Sequence, residues 1–100
     1  MILTTTNSVE GFKIAEYNGI VSGTSVNVQK IEWTLSMQKY YAGISESISE
    51  IKEQAFKQLE ENATKLNANA VVGITVDIEL TTTNYVAVTV TGTAVSIIKK

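Results

Sequence analysis

An α+β fold is what this 100-residue sequence predicts: a β-α-β-β subunit with an antiparallel sheet and one main helix packed on one face. Three observations carry that expectation. β-Branched residues (13 Thr, 11 Val and 11 Ile) crowd both ends of the chain and thin out between Lys52 and Asn69, and such side chains suit a pleated, half-buried surface. Between the two ends, apolar residues recur every three or four positions, the period of a helix. Beyond that stretch, apolar and polar residues alternate strictly, the period of a strand. A chain of this length supports one core, so 1–100 is read as a single domain.

The first strand region covers residues 13–17 and 20–28, divided by Asn18-Gly19. Those two letters suit a type I′ hairpin turn, and equally a bulge within one long strand. Next, Ile31, Trp33, Leu35 and Met37 alternate with Glu32, Thr34, Ser36 and Gln38. The spacing favours a strand, with helix or strand left open for 28–43.

The helix is marked by Ile44, Ile48, Ile51, Ala55, Leu59, Ala63 and Leu66 on one face. Ser47 and Glu50 have the spacing of a capping box, and Glu46, Glu50 and Glu53 then lie near the positive end of the dipole with Lys65 near the negative end. Glu53–Lys57 and Glu61–Lys65 are i,i+4 pairs, each worth about 0.2–0.5 kcal/mol. Asn67 follows as a left-handed cap. Two strands close the chain. In the first, Ile74, Val76, Ile78 and Leu80 share one face, opposite Thr75, Asp77 and Glu79. In the second, Val86, Val88 and Val90 share a face, and Gly92 is expected to mark a bulge because the apolar parity shifts to Val95 and Ile97. Leu-Thr-Thr-Thr-Asn-x-Val occurs at 3–9 and again at 80–86, which is read as shared turn chemistry rather than duplication.

Composition removes most chemistry. The chain has no Cys and no His, and all eight of its cations are Lys. Disulfides, thiolate and imidazole metal sites, Cys nucleophiles and guanidinium clamps are therefore excluded. Nine Glu, one Asp, four Tyr and the lysines remain. Ser45, Ser47 and Ser49 have no His to activate them, and 19–23 lacks the spacing and the Lys-Ser/Thr of a phosphate loop. No catalytic residue and no cofactor is assigned, and the expectation is a protein that is not an enzyme. A net charge of −2 offers no basic stripe for phosphates, so nucleic acid is not an expected partner. No apolar run approaches the roughly 20 residues of a membrane span, and 1–7 has no secretory pattern. Neither a membrane nor export is expected, and a cytoplasmic location is the default expectation. The sequon Asn62-Ala63-Thr64 is then inert.

Four blocks resemble the YbjQ-like family, which carries a heavy-metal-binding label. They are Met1-Ile2-Leu3-Thr4-Thr5-Thr6-Asn7-Ser8-Val9-Glu10-Gly11, Glu16-Tyr17-Asn18-Gly19-Ile20-Val21-Ser22-Gly23, Asn67-Ala68-Asn69-Ala70-Val71-Val72-Gly73 and Gly92-Thr93-Ala94-Val95. Asn67 stands where the family has Gly, a substitution that a left-handed cap tolerates. Segment 28–43 is shorter than the family's and lacks its Gly-Gly-Arg-Ser-type loop. The resemblance implies a subunit similar to dodecin-like ones, assembly into pentameric rings, and no established activity.

Two sets of candidate site residues follow. Asp77 and Glu79, about 7 Å apart along one strand face, would hold only a hard cation such as Ca²⁺ or Mg²⁺, through rings of carboxylates in an oligomer. The same pair would serve equally as a solvated strand face. Trp33, Tyr40 and Tyr41 are candidates for stacking on a planar ligand of unknown identity. The same rings would serve in a core or at a subunit contact. The expected partner is the chain itself, because long β-branched strands without Pro and with few charges, such as 86–95, have edges that invite pairing.

Overall fold

Alternation and β-branching draw both ends of the chain into long strands, and the computed structural model describes residues 1–28, 37–80 and 85–100, with backbone alone for 27, 28 and 37–47. The elements in chain order are β1 (Ile2–Leu3), β2 (Phe12–Val28), α1 (Met37–Lys65), β3 (Ala70–Leu80) and β4 (Tyr85–Lys99). They form one four-stranded sheet of order β1-β3-β4-β2. β4 lies between β2 and β3 and is antiparallel to both. The expected β-α-β-β frame is present, and a two-residue β1 pairs parallel with Ala70 and Val71, which makes the sheet mixed.

Asn18-Gly19 is a bulge within one 17-residue strand, not a hairpin. The register of β2 on β4 shifts between Ile14 and Glu16 and again between Tyr17 and Gly19. The bulge expected at Gly92 lies across from it. β4 runs on, while β3 carries an extra residue between Val72 and Thr75, with Gly73 at φ 62°. Gly92 instead permits close approach, since a Cβ there would meet Val71 Cγ1 at 2.6 Å and Ile74 Cγ1 at 3.0 Å. The parity shift along β4 has another cause. Between Ala94 and Ile97 both faces of the strand carry buried residues: Ala94 packs under the helix, while Val95 and Ile97 pack against Val9, Phe12 and Ile14 on the other side.

The helix begins at Met37, well before Ser47. The capping box expected at Ser47 and Glu50 is therefore not a cap, because the amides there already belong to the helical ladder. The first turn holds no acidic residue, so Glu46, Glu50 and Glu53 do not sit at the positive end of the dipole, whereas Lys65 does occupy the last turn. Met37 and Gln38 are helical, and 31–36 lie outside the described residues.

Ile51, Ala55, Leu59 and Ala63, one helical turn apart, are buried against Val21, Val71, Ile74, Val86, Val88, Val90 and Ala94, with Ile48 and Phe56 partly buried beside them. Leu66, past the helix end, is exposed. Small side chains at 55 and 63 let α1 lie close to the sheet. It lies over β2 and β4 and scarcely reaches β3. Three side-chain amides secure it along the margin of β2. Asn62 Nδ2 donates to the Ser22 carbonyl at 2.8 Å, Gln58 Oε1 accepts from the Thr24 amide at 2.6 Å, and Gln54 Oε1 accepts from Ser25 Oγ at 2.8 Å.

Candidate functional site

At one end of the sheet the chain joins segments that are far apart in sequence. α1 closes with a Schellman pattern: the Ala68 amide donates to the Ala63 carbonyl at 3.1 Å and the Asn67 amide to the Thr64 carbonyl at 2.9 Å, with Asn67 left-handed at φ 62°. The carbonyl of Leu66 is taken by Asn18 Nδ2 at 2.8 Å. Ser96 Oγ donates to Asn18 Oδ1 at 3.1 Å. The β2 bulge at Asn18 thus aims an amide at a helix terminus that needs donors.

Asn69 acts as a strand residue through its side chain. Its Nδ2 donates to the Ile97 carbonyl at 3.0 Å, and its Oδ1 accepts from the Ile97 amide at 2.7 Å. Its own amide donates to the Val95 carbonyl at 3.1 Å. The opening segment is sewn on next. The Thr4 amide donates to the Val71 carbonyl at 3.0 Å, the Gly73 amide to the Thr6 carbonyl at 2.8 Å, and the Ile74 amide to the Thr4 carbonyl at 3.1 Å. Alanine at Asn69 leaves both backbone groups of Ile97 without these partners in a part-buried place. We expect Asn69→Ala to cost about 1–3 kcal/mol, read as a shift of the urea midpoint at unchanged slope.

Beside this network is a cleft of about 610 Å³ lined by Thr4, Thr6, Ser8, Glu10, Phe12 and Lys100 among others. Its threonine hydroxyls bond one another or the backbone: Thr4 Oγ1 and Thr6 Oγ1 are 2.8 Å apart, and Thr6 Oγ1 donates to the Ser8 carbonyl at 2.6 Å. They are engaged in holding the loop.

The candidate carboxylates lie elsewhere. Asp77 pairs with Thr89 and Glu79 with Ala87, so both project from the face of the sheet away from the helix. They share a shallow cleft of about 310 Å³ with Ala87 and Thr89. Among the described residues no three His, Cys, Asp or Glu come together. One chain therefore supplies two carboxylates and a hydroxyl, short of the six to eight oxygens Ca²⁺ takes. Tyr40 and Tyr41 fall in the first turns of α1. Their side chains and Trp33 lie outside the described residues. Sequence reasoning missed Asn18, Asn69 and Ser96 as a network, because contacts between positions so far apart leave no periodic trace. The family-like blocks that contain Asn18 and Asn69 were the available signal.

The same blocks decide the family. A family model described as "Putative heavy-metal-binding" matches residues 1–98. The chain belongs to the YbjQ-like family. A relative named "UPF0145 protein" from Acetivibrio thermocellus is 36% identical over 105 residues, covering 97% of this chain and 99% of its own. Another "UPF0145 protein", from Clostridium kluyveri, is 38% identical over 103 residues, covering 95% of this chain and 97% of its own. The fold is similar to the crystal structure of a protein of unknown function of the DUF74 family from Pediococcus pentosaceus, with a TM-score of 0.74 over 98% of both chains at 20% identity.

The metal in the YbjQ-like description does not suit the donors of this member. Heavy and borderline metals favour thiolate, imidazole or thioether ligands. This chain has no Cys or His, and its two methionines precede β1 and open α1. Calorimetry with Zn²⁺, Cu²⁺ or Cd²⁺ should therefore show no stoichiometric binding tighter than about 1 μM, near −8.2 kcal/mol. A tighter site would overturn that assignment.

Proposed function

We propose that this YbjQ-like protein is a ring-forming assembly or ligand-binding subunit of the cytoplasm, built from copies of itself and performing no catalytic chemistry. The observation that carries this reading is an excess of surface. The chain exposes 6818 Å², against roughly 5,600 Å² for a monomeric protein of its mass. Its radius of gyration is 16.7 Å, against roughly 13 Å for a compact domain of this length. An elongated subunit with surplus surface is what association with further copies would resolve. The bonds of Asn18 and Asn69 support the same reading, since these residues of the family-like blocks hold the fold together rather than gather reactive groups.

The number five comes from the family resemblance. Light scattering coupled to size exclusion at micromolar subunit concentration should give about 55 kDa, five subunits of 10.9 kDa. A folded monomer would overturn the assembly reading. A different closed number would keep the assembly and reject the pentamer. Native mass spectrometry of the same sample would reveal any retained ligand as added mass. The second reading, a hard cation held by carboxylates, rests on Asp77 and Glu79 sharing one exposed face. A ring would supply several copies of the pair, and loss of a Ca²⁺ or Mg²⁺ signal in the Asp77→Asn/Glu79→Gln double variant would support it.

A further inference from the structure

Two exposed apolar patches lie on opposite margins and opposite faces of the sheet. Val76, Ile78 and Leu80 pair with Val90, Val88 and Val86 and share their helix-facing side. The valines of β4 are buried under α1, but the helix stops short of β3, and Leu80 is 62% exposed. On the far margin, Tyr17 and Ile20 of β2 pair with Val95 and Thr93 on the other face. Ile20 is 81% exposed. We propose that these patches are the two halves of a single contact, each covered by a second copy of this chain, with the β2 margin of one copy lapping onto the β3 margin of the next.

The proposal rests on the assembly reading above and specifies its geometry. Area favours a second copy on each margin. The surplus over a monomer of this mass is roughly 1,200 Å², and dividing it between two margins gives about 600 Å² per side of each contact. The resulting total of about 1,200 Å² per contact is the lower bound of stable specific interfaces.

Two simpler arrangements fail. Continuation of one sheet into the next through β2 is obstructed, because Gln58 and Asn62 already bond the Thr24 amide and the Ser22 carbonyl. A two-fold pairing of β3 with β3 about Ile78 would set Asp77 against the copy's Glu79, like charges directly opposite. It would also leave the β2 patch bare. A lap joint covers both patches with one repeated contact. It places the incoming β2 margin beside α1, in the layer over β3 that the described part of the helix does not cover. Such a contact is heterologous, and it closes into a ring when the rotation per step permits.

The test uses Ile78→Glu and Ile20→Glu, each disabling one patch, with mass read by light scattering. Each variant alone should be a monomer, because every contact needs both patches. Mixed in equal amounts, they should form a one-to-one dimer of about 22 kDa, two subunits of 10.9 kDa, since one good patch of each kind remains. Both positions are exposed. Far-ultraviolet circular dichroism checks the fold, and Ile78→Ser with Ile20→Ser replaces the pair if it changes. A wild-type protein that assembles while either variant keeps its mass overturns the lap joint alone, as does a mixture that stays monomeric. A monomeric wild type overturns the assembly reading itself.

Discussion

Gly23→Ala should destabilise the protein by about 3 kcal/mol or more, at or beyond the top of the usual overpacking range. Gly23 is buried on β2, opposite Val90, on the face that carries the helix. A Cβ at this position would overlap the carbonyl oxygen of Ala55, and it would lie 2.8 Å from the Leu59 amide nitrogen and 3.0 Å from the Ala55 carbonyl carbon. These are helix backbone atoms, which cannot rotate aside. Relief requires α1 to lift from β2, which would stretch the bonds from Gln58 to the Thr24 amide and from Asn62 to the Ser22 carbonyl and open space beneath Leu59. Against a typical total stability of about 5–15 kcal/mol, that is a severe loss. Ser22→Ala, one residue away with an exposed side chain, should stay within about 0.5 kcal/mol. Equal effects from the two in urea titration would mean that the helix does not approach β2 this closely.

Gly23 shows where the sequence is legible and where it is not. It was visible as part of a family-like block, but nothing in the letters says that a helix backbone crosses above it. Periodicity reports which residues share a face, and it did so correctly for Ile51, Ala55, Leu59 and Ala63, and for Ile74, Val76, Ile78 and Leu80. It does not report whether another element reaches that face. Ile74 belongs to the buried cluster that includes Ala63 and Ala68 at the end of α1, while Ile78 and Leu80, farther along the same strand, are exposed. Register is likewise a relation between strands: the extra residue lies on β3, across from the Gly92 that the parity shift pointed to. Ser47 and Glu50 satisfy the spacing of a cap, yet the same spacing is compatible with a helix interior, and the helix runs from Met37. A two-residue strand such as β1 is too short to have a period, and it exists because Ala70 and Val71 offer an edge. Of the candidate site residues, Asp77 and Glu79 were legible as one strand face. The long-range bonds of Asn18 and Asn69 were not.

The second large effect lies at Leu59, the largest side chain in α1 that is fully buried among the described residues. Its neighbours along the stripe are Ala55 and Ala63, one helical turn away on each side. With alanine at all three positions the helix would present a run of methyl groups to the sheet. The valines beneath, including Val88 and Val90 at 0% exposure, have stiff β-branched side chains held in a paired strand, so they cannot move up to fill the gap. A site that cannot collapse retains its cavity, and the cost rises with the volume left behind. Leu59→Ala should therefore cost about 2–5 kcal/mol, in the upper half of that range. Leu59→Met, which keeps the volume, should cost less than about 1.5 kcal/mol. Glu61→Ala, on the exposed side of the same helix, should stay within about 0.5 kcal/mol. Urea titration of the three variants checks the order. A Leu59→Ala variant no weaker than Glu61→Ala would place the helix stripe away from the sheet and remove the basis for the uncovered β3 margin.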